Sequence, residues 1–176
     1  AAMTNVDACE AQPEACDLVN RQAVYMLAKA SLAIGAHFQL LSTDFVFDGE
    51  AGPYKETDQP NPLSVYARSK YEAEQLLQEV DGLNYSIVRT IIVYGQGEQL
   101  SRSNLILWAK EALQEGKPLN IVDDQFRAPT WADDLAWACV RICEMEQTGI
   151  FHISGPETIS IYDIVLRVAG YYQLPT

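Results

Sequence analysis

Basic residues, cysteine and histidine are scarce in this sequence, and each shortage excludes a class of function. The chain has 12 lysine and arginine residues against 24 aspartates and glutamates, which gives a formal net charge of -12. Nucleic acids and anionic membranes are bound by positively charged surfaces, so we expect neither as a partner. No apolar run approaches the roughly 18 residues that a membrane-spanning helix needs, and no secretory signal is visible.

Four cysteines are too few for a disulfide scaffold. They are Cys9, Cys16, Cys139 and Cys143. Cys139 and Cys143 would share a helix face, but zinc would need further ligands, and the two histidines, His37 and His152, lie in strand-like runs. We therefore expect buried, reduced, structural cysteines, no metal site and a cytoplasmic location.

Strand-like and helix-like segments alternate along the chain. The β-branched or apolar runs that predict strands are 37–43, 85–94, 119–123 and 149–154. Helical spacing of apolar residues predicts helices over 13–34, 62–80, 103–115, 131–146 and 161–172. This order predicts an α/β fold with a parallel sheet, whereas the opening AAMTNVDACE is typical of a strand end and a loop.

The predicted strand ends carry the polar groups that a ligand would meet. Ligands of parallel α/β sheets bind beyond the carboxyl ends of the strands. Ser42, Thr43 and Asp44 close the first long strand, and Tyr94 and Gly95 close the second. The candidate site therefore lies at these strand ends.

Two Tyr-x-x-x-Lys pairs occur, Tyr66 with Lys70 and Tyr25 with Lys29. A lysine at i+4 shares a helix face with the tyrosine and can lower the pKa of its phenol, as acid–base chemistry at neutral pH requires. Tyr66 follows a strand end that provides the hydroxyl of Thr43 to polarise a carbonyl. Tyr25 has no such partner and lies in an apolar run, which predicts core packing, so Tyr66 is the functional candidate.

The segment LLSTDFVFDGEAGPYKETDQPNPLSVYARSKYEAEQ resembles the active-site block of the extended short-chain dehydrogenases/reductases, and of dTDP-4-dehydrorhamnose reductases in particular. NVDACE, VRTIIVYG and VDDQFRAPTWADDLA resemble further segments of that family, so the resemblance covers nearly the whole chain. It implies the C-terminal part of a Rossmann-like, doubly wound parallel sheet with part of a small substrate-binding region. We expect one domain over 1–176, with substrate-binding segments around 95–130 and 150–176.

The same resemblance implies NADP- or NAD-dependent reduction of a 4-keto nucleotide sugar, with NADP favoured. Thr43 would bind the substrate carbonyl, Tyr66 would donate the proton, and Lys70 would tune Tyr66 and bind the nicotinamide ribose. Further cofactor contacts are implied for Ala1, Ala2, Ser42 and Arg89. Substrate contacts are implied for Asp44, Asn104, Gln125 and Arg127. Asn20 stands where many family members carry asparagine, but a helical asparagine is more often a surface residue.

Three departures from the family pattern leave alternatives open. No glycine-rich turn of the dinucleotide-binding type is present, since Gly95-Gln96-Gly97 is better interpreted as a simple turn. Ile92 replaces a tryptophan of the family, and Arg127 replaces a glycine. The chain could be an internal piece of a longer reductase, a nucleotide-sugar epimerase, or a non-catalytic subunit resembling the regulatory subunit of methionine adenosyltransferase. A homodimer is one possible assembly.

Overall fold

The computed structural model describes residues 2–95, 97 and 104–175, which group into two compact units. The first unit is built from described residues of 1–90 and 138–152, and the second from those of 91–137 and 153–176. The strands are β1 (Phe38–Thr43), β2 (Tyr85–Thr90), β3 (Val93–Tyr94), β4 (Phe126–Arg127), β5 (Thr130–Trp131), β6 (Gly149–Ile153) and β7 (Ile159–Ser160). The α-helices are α1 (Val6–Ala11), α2 (Pro13–Asp17), α3 (Ala23–Ala33), α4 (Val65–Gln78), α5 (Leu105–Gln114), α6 (Ala132–Glu144) and α7 (Ile161–Tyr172).

The first unit holds a three-stranded sheet in the order β1-β2-β6. β1 and β2 run parallel, with Ser42 opposite Arg89 and Thr43 opposite Thr90, so both strands end at the same edge. An apolar core formed by Val24, Ala28, Leu40, Ala73, Leu77, Leu83 and Ile87 joins α3 and α4 to this sheet. The predicted α/β fold with a parallel sheet is confirmed.

The start of the chain departs from the sequence-based prediction. Residues of the expected loop form α1, because the Asn5 side chain accepts a hydrogen bond from the Ala8 backbone N–H and caps the helix. The long helix predicted over 13–34 is present, but a π-helical turn, Leu18–Gln22, interrupts it between α2 and α3. Such turns are frequent at functional sites, and this one carries the buried Asn20.

The second unit contains two short strand pairs and a helical core. β3 pairs with β5 in parallel, and β4 pairs with β7 in antiparallel orientation. The core lies between α5 and α7 and consists of Ala109, Leu113, Val165, Val168 and Ala169. The strand predicted over 119–123 is wrong: Leu119 and Ile121 pack against this helical core instead of pairing in a sheet. The strand predicted over 85–94 is divided by Ile92, whose φ is +36°.

The cysteines only partly match their prediction. All four are free, and Cys9 and Cys16 are buried, but Cys139 is half-buried and Cys143 is exposed. Among the described residues, no group of three or more His, Cys, Asp or Glu side chains is placed to hold a metal ion. None of the helices in the described ranges combines the length and apolar character needed to cross a bilayer.

Gly155 is fixed by a close backbone approach within the second unit, and replacing it with alanine should be strongly destabilising. A Cβ at this position would lie 2.1 Å from the Pro129 carbonyl oxygen. The backbone at Gly155 or at Pro129 would have to move, at a large energetic cost. We expect Gly155→Ala to reduce the free energy of unfolding by about 3 kcal/mol, measured by urea denaturation. Gly170→Ala is the control, because a Cβ there meets nothing within 4 Å and should stabilise α7 slightly. Equal stability of the two variants would contradict the close approach.

Candidate functional site

Thr43 is the last residue of β1, and its side chain organises the chain that leaves the sheet. Its Oγ1 accepts a hydrogen bond from the Phe45 backbone N–H at 3.2 Å and donates to Asp44 Oδ1 at 3.2 Å. These contacts cap the short 3-10 turn Asp44–Val46. The hydroxyl is thereby held at the edge where parallel sheets bind their ligands.

Tyr66 lies in the first turn of α4 and meets Thr43. The helix begins after Ser64, whose hydroxyl accepts a hydrogen bond from the Ala67 backbone N–H, and this cap fixes the start of the helix relative to the sheet. The Thr43 side chain lies close enough to the Tyr66 phenol to affect its pKa. The Phe45 ring packs edge-on against it, with centroids 6.1 Å apart. The strand-end hydroxyl and the helix phenol are therefore brought together, as the spacing predicted.

The expected direction of the Tyr66 pKa is wrong. Burial is the largest influence and raises the pKa of the phenol above its ordinary value, and the negative charge of Asp44 adds to this. The nearby Thr43 side chain acts in the opposite direction but does not outweigh burial. The sequence rule fails here because i, i+4 spacing places a cation on the same helix face without fixing where its head group goes. Tyr66 is thus held as a neutral phenol, which is the form that can give up a proton.

Lys70 follows Tyr66 by one helical turn and is 4% exposed. Its Nζ donates a hydrogen bond to the Leu41 backbone oxygen in β1 at 2.7 Å. Burial lowers the pKa of the ammonium to about 8, while the nearby Glu74 carboxylate acts to raise it. Lys70 therefore joins α4 to the end of β1. Its lowered pKa means that it loses its proton at a lower pH than an ordinary lysine.

Ser42 and Arg89 were expected to contact the cofactor, but both form hydrogen bonds with the buried carboxylate of Glu74. Glu74 is fully buried, and Arg89 is 4% exposed. Arg89 Nη2 lies 2.6 Å from Glu74 Oε2, its Nε contacts both carboxylate oxygens, and the Ser42 hydroxyl donates to Oε1. The structure gives Ser42 and Arg89 an internal role. The sequence reading overlooked Glu74, although its i+4 spacing from Lys70 was a signal that could have identified it.

Asn20 is also internal rather than on the surface as expected, since it is only 1% exposed. Its side chain forms hydrogen bonds of 2.8 and 2.9 Å with the Met3 backbone N–H and oxygen. It also donates to the Ser69 hydroxyl at 3.0 Å, and that hydroxyl donates to the Tyr66 backbone oxygen at 2.7 Å. Asn20 therefore connects the first residues of the chain to the helix that carries Tyr66.

The second Tyr-x-x-x-Lys pair makes no comparable arrangement. Tyr25 is half-buried rather than in the core, and Lys29 is exposed. The Lys29 ammonium lies 5.6 Å from the centre of the Tyr25 ring, a cation–π contact on the outer face of α3. The described contacts of this pair are those of a helix surface.

The remaining predicted residues divide between the two units. Asp44 lies beside Thr43 in the first unit, and the exposed Ala2 belongs there too; Ala1 lies outside the described residues. Asn104, Gln125 and Arg127 lie in the second unit. Asn104 caps α5 and donates to the Gly95 oxygen at 2.8 Å.

Gln125 and Arg127 each take part in a hydrogen bond that involves the backbone. Gln125 is exposed, and its backbone oxygen accepts from the Ile161 N–H at 3.0 Å. Arg127 is half-buried and donates to the Phe126 oxygen at 2.9 Å. Their predicted contacts with a substrate remain predictions.

A cavity of about 630 Å³ lies within the second unit. Its lining includes Tyr94, Asn104, Trp131, Gly155, Tyr171 and Arg167. The rings of Tyr94 and Trp131 meet edge-to-face with centroids 5.3 Å apart. Asn104, a predicted substrate residue, thus borders this cavity.

Known proteins share the sequence pattern and the fold of this chain. Residues 1–174 match the RmlD substrate binding domain. The chain belongs to this family. The methionine adenosyltransferase 2 subunit beta of Bos taurus is 34% identical over 100% of this chain and 54% of its own length. The spore coat polysaccharide biosynthesis protein SpsK of Bacillus subtilis is 33% identical over 100% of this chain and 60% of its own.

Solved structures show the same family. The crystal structure of dTDP-4-dehydrorhamnose reductase from Bacillus anthracis in complex with NADP superposes with a TM-score of 0.91 and 28% identity, covering 99% of this chain and 61% of that one. The chain thus spans little more than half the length of the relatives it matches. The resemblance to extended short-chain dehydrogenases/reductases predicted from the active-site block is confirmed.

Proposed function

We propose that the full chain containing these residues reduces a keto group on a nucleotide-linked sugar, specifically the 4-keto group of a dTDP-4-dehydrorhamnose-like substrate, with a nicotinamide cofactor. The observation that carries this proposal is the position of the Tyr66 phenol beside the Thr43 side chain at the end of β1, with Lys70 one helical turn along α4. The reductase from Bacillus anthracis that superposes on this chain was crystallised with NADP, which supports the choice of cofactor.

Two groups this close to each other can both reach one substrate oxygen. A carbonyl oxygen placed between Thr43 and Tyr66 would accept a hydrogen bond from each, which polarises the carbonyl. As the carbon is reduced, Tyr66 would transfer its phenolic proton to the developing alkoxide and become a phenolate. Lys70, as an ammonium one turn along α4, would stabilise that negative charge. Asp44, beside Thr43, would border the sugar.

The residues present fit the nicotinamide-ribose end of such a cofactor. An ammonium has three N–H donors, and among the described residues one hydrogen bond, to Leu41, accounts for one of those on Lys70. Lys70 and Tyr66 would hold the ribose, and the backbone of Ala1 and Ala2 would lie beside the nicotinamide. The bound nicotinamide would supply the hydride. The glycine-rich turn that holds a pyrophosphate is not among these 176 residues, so this sequence contributes only the catalytic end.

The test is substrate-dependent oxidation of reduced cofactor. The full chain is incubated with NADPH or NADH and a dTDP-4-dehydro-6-deoxy sugar, and both cofactor absorbance and the sugar product are measured. We expect one reduced sugar for each cofactor oxidised. Inversion of a sugar carbon with no net cofactor consumption would instead show an epimerase, and an inert mixture with every 4-keto nucleotide sugar tried would overturn the proposal.

A second candidate is a regulatory subunit that binds a methionine adenosyltransferase. It is favoured by the bovine relative, which is 34% identical over the whole chain. In this reading the full chain co-elutes with the catalytic subunit of that enzyme in gel filtration and alters its kinetics, while reducing no sugar. Sugar reduction without co-elution would exclude this candidate.

A further inference from the structure

Glu74 occupies the junction of three elements of the first unit. It lies on α4 one turn after Lys70, is fully buried, and bonds to Ser42 at the end of β1 and Arg89 at the end of β2. Replacing a buried ion pair with apolar residues of similar size is often neutral or stabilising, so stability alone does not require these charges. The buried charges of Glu74 and Arg89 therefore point to a role beyond folding.

Two of the elements that Glu74 joins, α4 and β1, are those that carry the proposed catalytic pair of Tyr66 and Thr43. Ser42 immediately precedes Thr43 in β1. Across the parallel pair, Ser42 lies opposite Arg89 and Thr43 lies opposite Thr90. Tyr66, Lys70 and Glu74 follow one another at four-residue intervals along α4, so they share one face of the helix. Any rotation or shift of α4 that breaks the Glu74 contacts would also change the distance from Tyr66 to Thr43.

Glu74 also determines the charge environment of Lys70. The charged and titratable groups that face Lys70 are Glu74 on its own helix and Cys16 from α2; Tyr66 precedes it by one turn, and Arg89 from β2 reaches Glu74. Glu74 is the largest of the charge effects and opposes the loss of the Lys70 proton caused by burial. Without the carboxylate, the pKa of Lys70 should fall below about 8.

Resting on the proposed function, we propose that Glu74 is a positioning residue of the reaction, which holds the Tyr66–Lys70 face of α4 against the Thr43 end of β1. Its carboxylate also favours the charged form of Lys70. Ser42 and Arg89 act through it by fixing its carboxylate between the two strands. None of these three residues touches the substrate. They determine instead the geometry and charge of the groups that do.

The experiment compares Glu74→Gln and the double variant Glu74→Met/Arg89→Met in the full chain. Glu74→Gln keeps an oxygen acceptor but removes the charge. We expect kcat to fall about tenfold in both, with KM for the sugar nucleotide nearly unchanged, because an approach misaligned by a fraction of an ångström costs turnover more than binding. The alkaline limb of the kcat profile should move to lower pH, because the carboxylate that favours the charged form of Lys70 is gone.

The double variant keeps the test decisive if the single variant folds poorly, because two apolar residues leave no buried charge unpaired. Glu72→Gln is the matched control, since Glu72 is half-exposed on the same helix and near Arg21. It should change neither kcat nor the alkaline limb. An unmoved kcat and an unmoved limb in a well-folded Glu74 variant would overturn the positioning role, even if Tyr66→Phe abolishes turnover.

A measurement that needs no turnover separates this inference from the proposed function. The folded pKa of Lys70, about 8, lies below its ordinary value of 10.5, so the folded state loses the proton first and stability rises with pH between these values. Relative to Lys70→Met, the parent should gain stability in this window. Introducing Glu74→Gln into both proteins should move the start of that gain to lower pH. If the parent reduces no sugar, this cycle still decides whether Glu74 holds the charge on Lys70, and an unchanged start refutes it.

Discussion

Tyr66→Phe in the full chain should lower kcat by about a thousandfold, the scale of a lost general acid. The substitution removes the phenol oxygen beside Thr43 and leaves the ring in its contact with Phe45. Because burial raises the pKa of this phenol, it is fully protonated at neutral pH and is the proton source of the proposed reaction. Steady-state oxidation of reduced cofactor measures the loss.

The variant should still fold and bind reduced cofactor, since Lys70 and the strand ends are unchanged. Isothermal titration with NADPH checks the binding, and thermal unfolding checks the fold. Tyr25→Phe is the matched control, because it removes the hydroxyl of the other Tyr-x-x-x-Lys pair, which lies on the outer face of α3, and should leave kcat unaltered. If Tyr66→Phe retained turnover within about threefold of the parent, Tyr66 would not be the proton donor.

Arg89→Met should be among the most destabilising single substitutions in the first unit, costing about 3–5 kcal/mol. It leaves the fully buried Glu74 carboxylate without the guanidinium that meets it at 2.6 Å. The desolvation cost of the carboxylate remains while its main compensation is lost. Urea denaturation of the full chain, followed by circular dichroism, measures the change.

Two controls identify the cause of this loss. Arg141→Met removes an ion pair with Glu144 in which both side chains are about half exposed, so it should cost less than about 1 kcal/mol. The double variant Glu74→Met/Arg89→Met should recover most of the lost stability, since no charge is left buried. If Arg89 served the cofactor instead, Arg89→Met would weaken NADPH binding and leave the free energy of unfolding unchanged.

Sequence and structure assign Arg89 to different partners. Arg89 lies in an apolar strand and was expected at the cofactor, whereas Glu74 had no assigned role. A strand pattern shows which residues alternate between the faces of the sheet, but it does not show which helix covers a given face. The pairing of Arg89 with Glu74 depends on α4 packing across the ends of β1 and β2.

The same reasoning explains Asn20 and Tyr66. An asparagine in a helical pattern predicts an exposed side chain, but the π-helical turn Leu18–Gln22 contains a buried Asn20 that bonds to the Met3 backbone and Ser69. For Tyr66, i+4 spacing predicted a pKa lowered by Lys70. In the structure Lys70 donates to Leu41, and burial controls the phenol.

The sequence by itself determined the α/β class, the parallel pairing of β1 and β2, the family, and the choice of Tyr66 over Tyr25. These depend on local spacing and on short motifs, both of which are written in consecutive residues. Only the tertiary structure decided that Tyr66 lies beside Thr43, that Glu74 and Arg89 form a buried pair, and that the Tyr66 pKa is raised. Those properties depend on burial and on contacts between residues far apart in the chain, because desolvation and hydrogen-bond partners are set by what packs across the sheet.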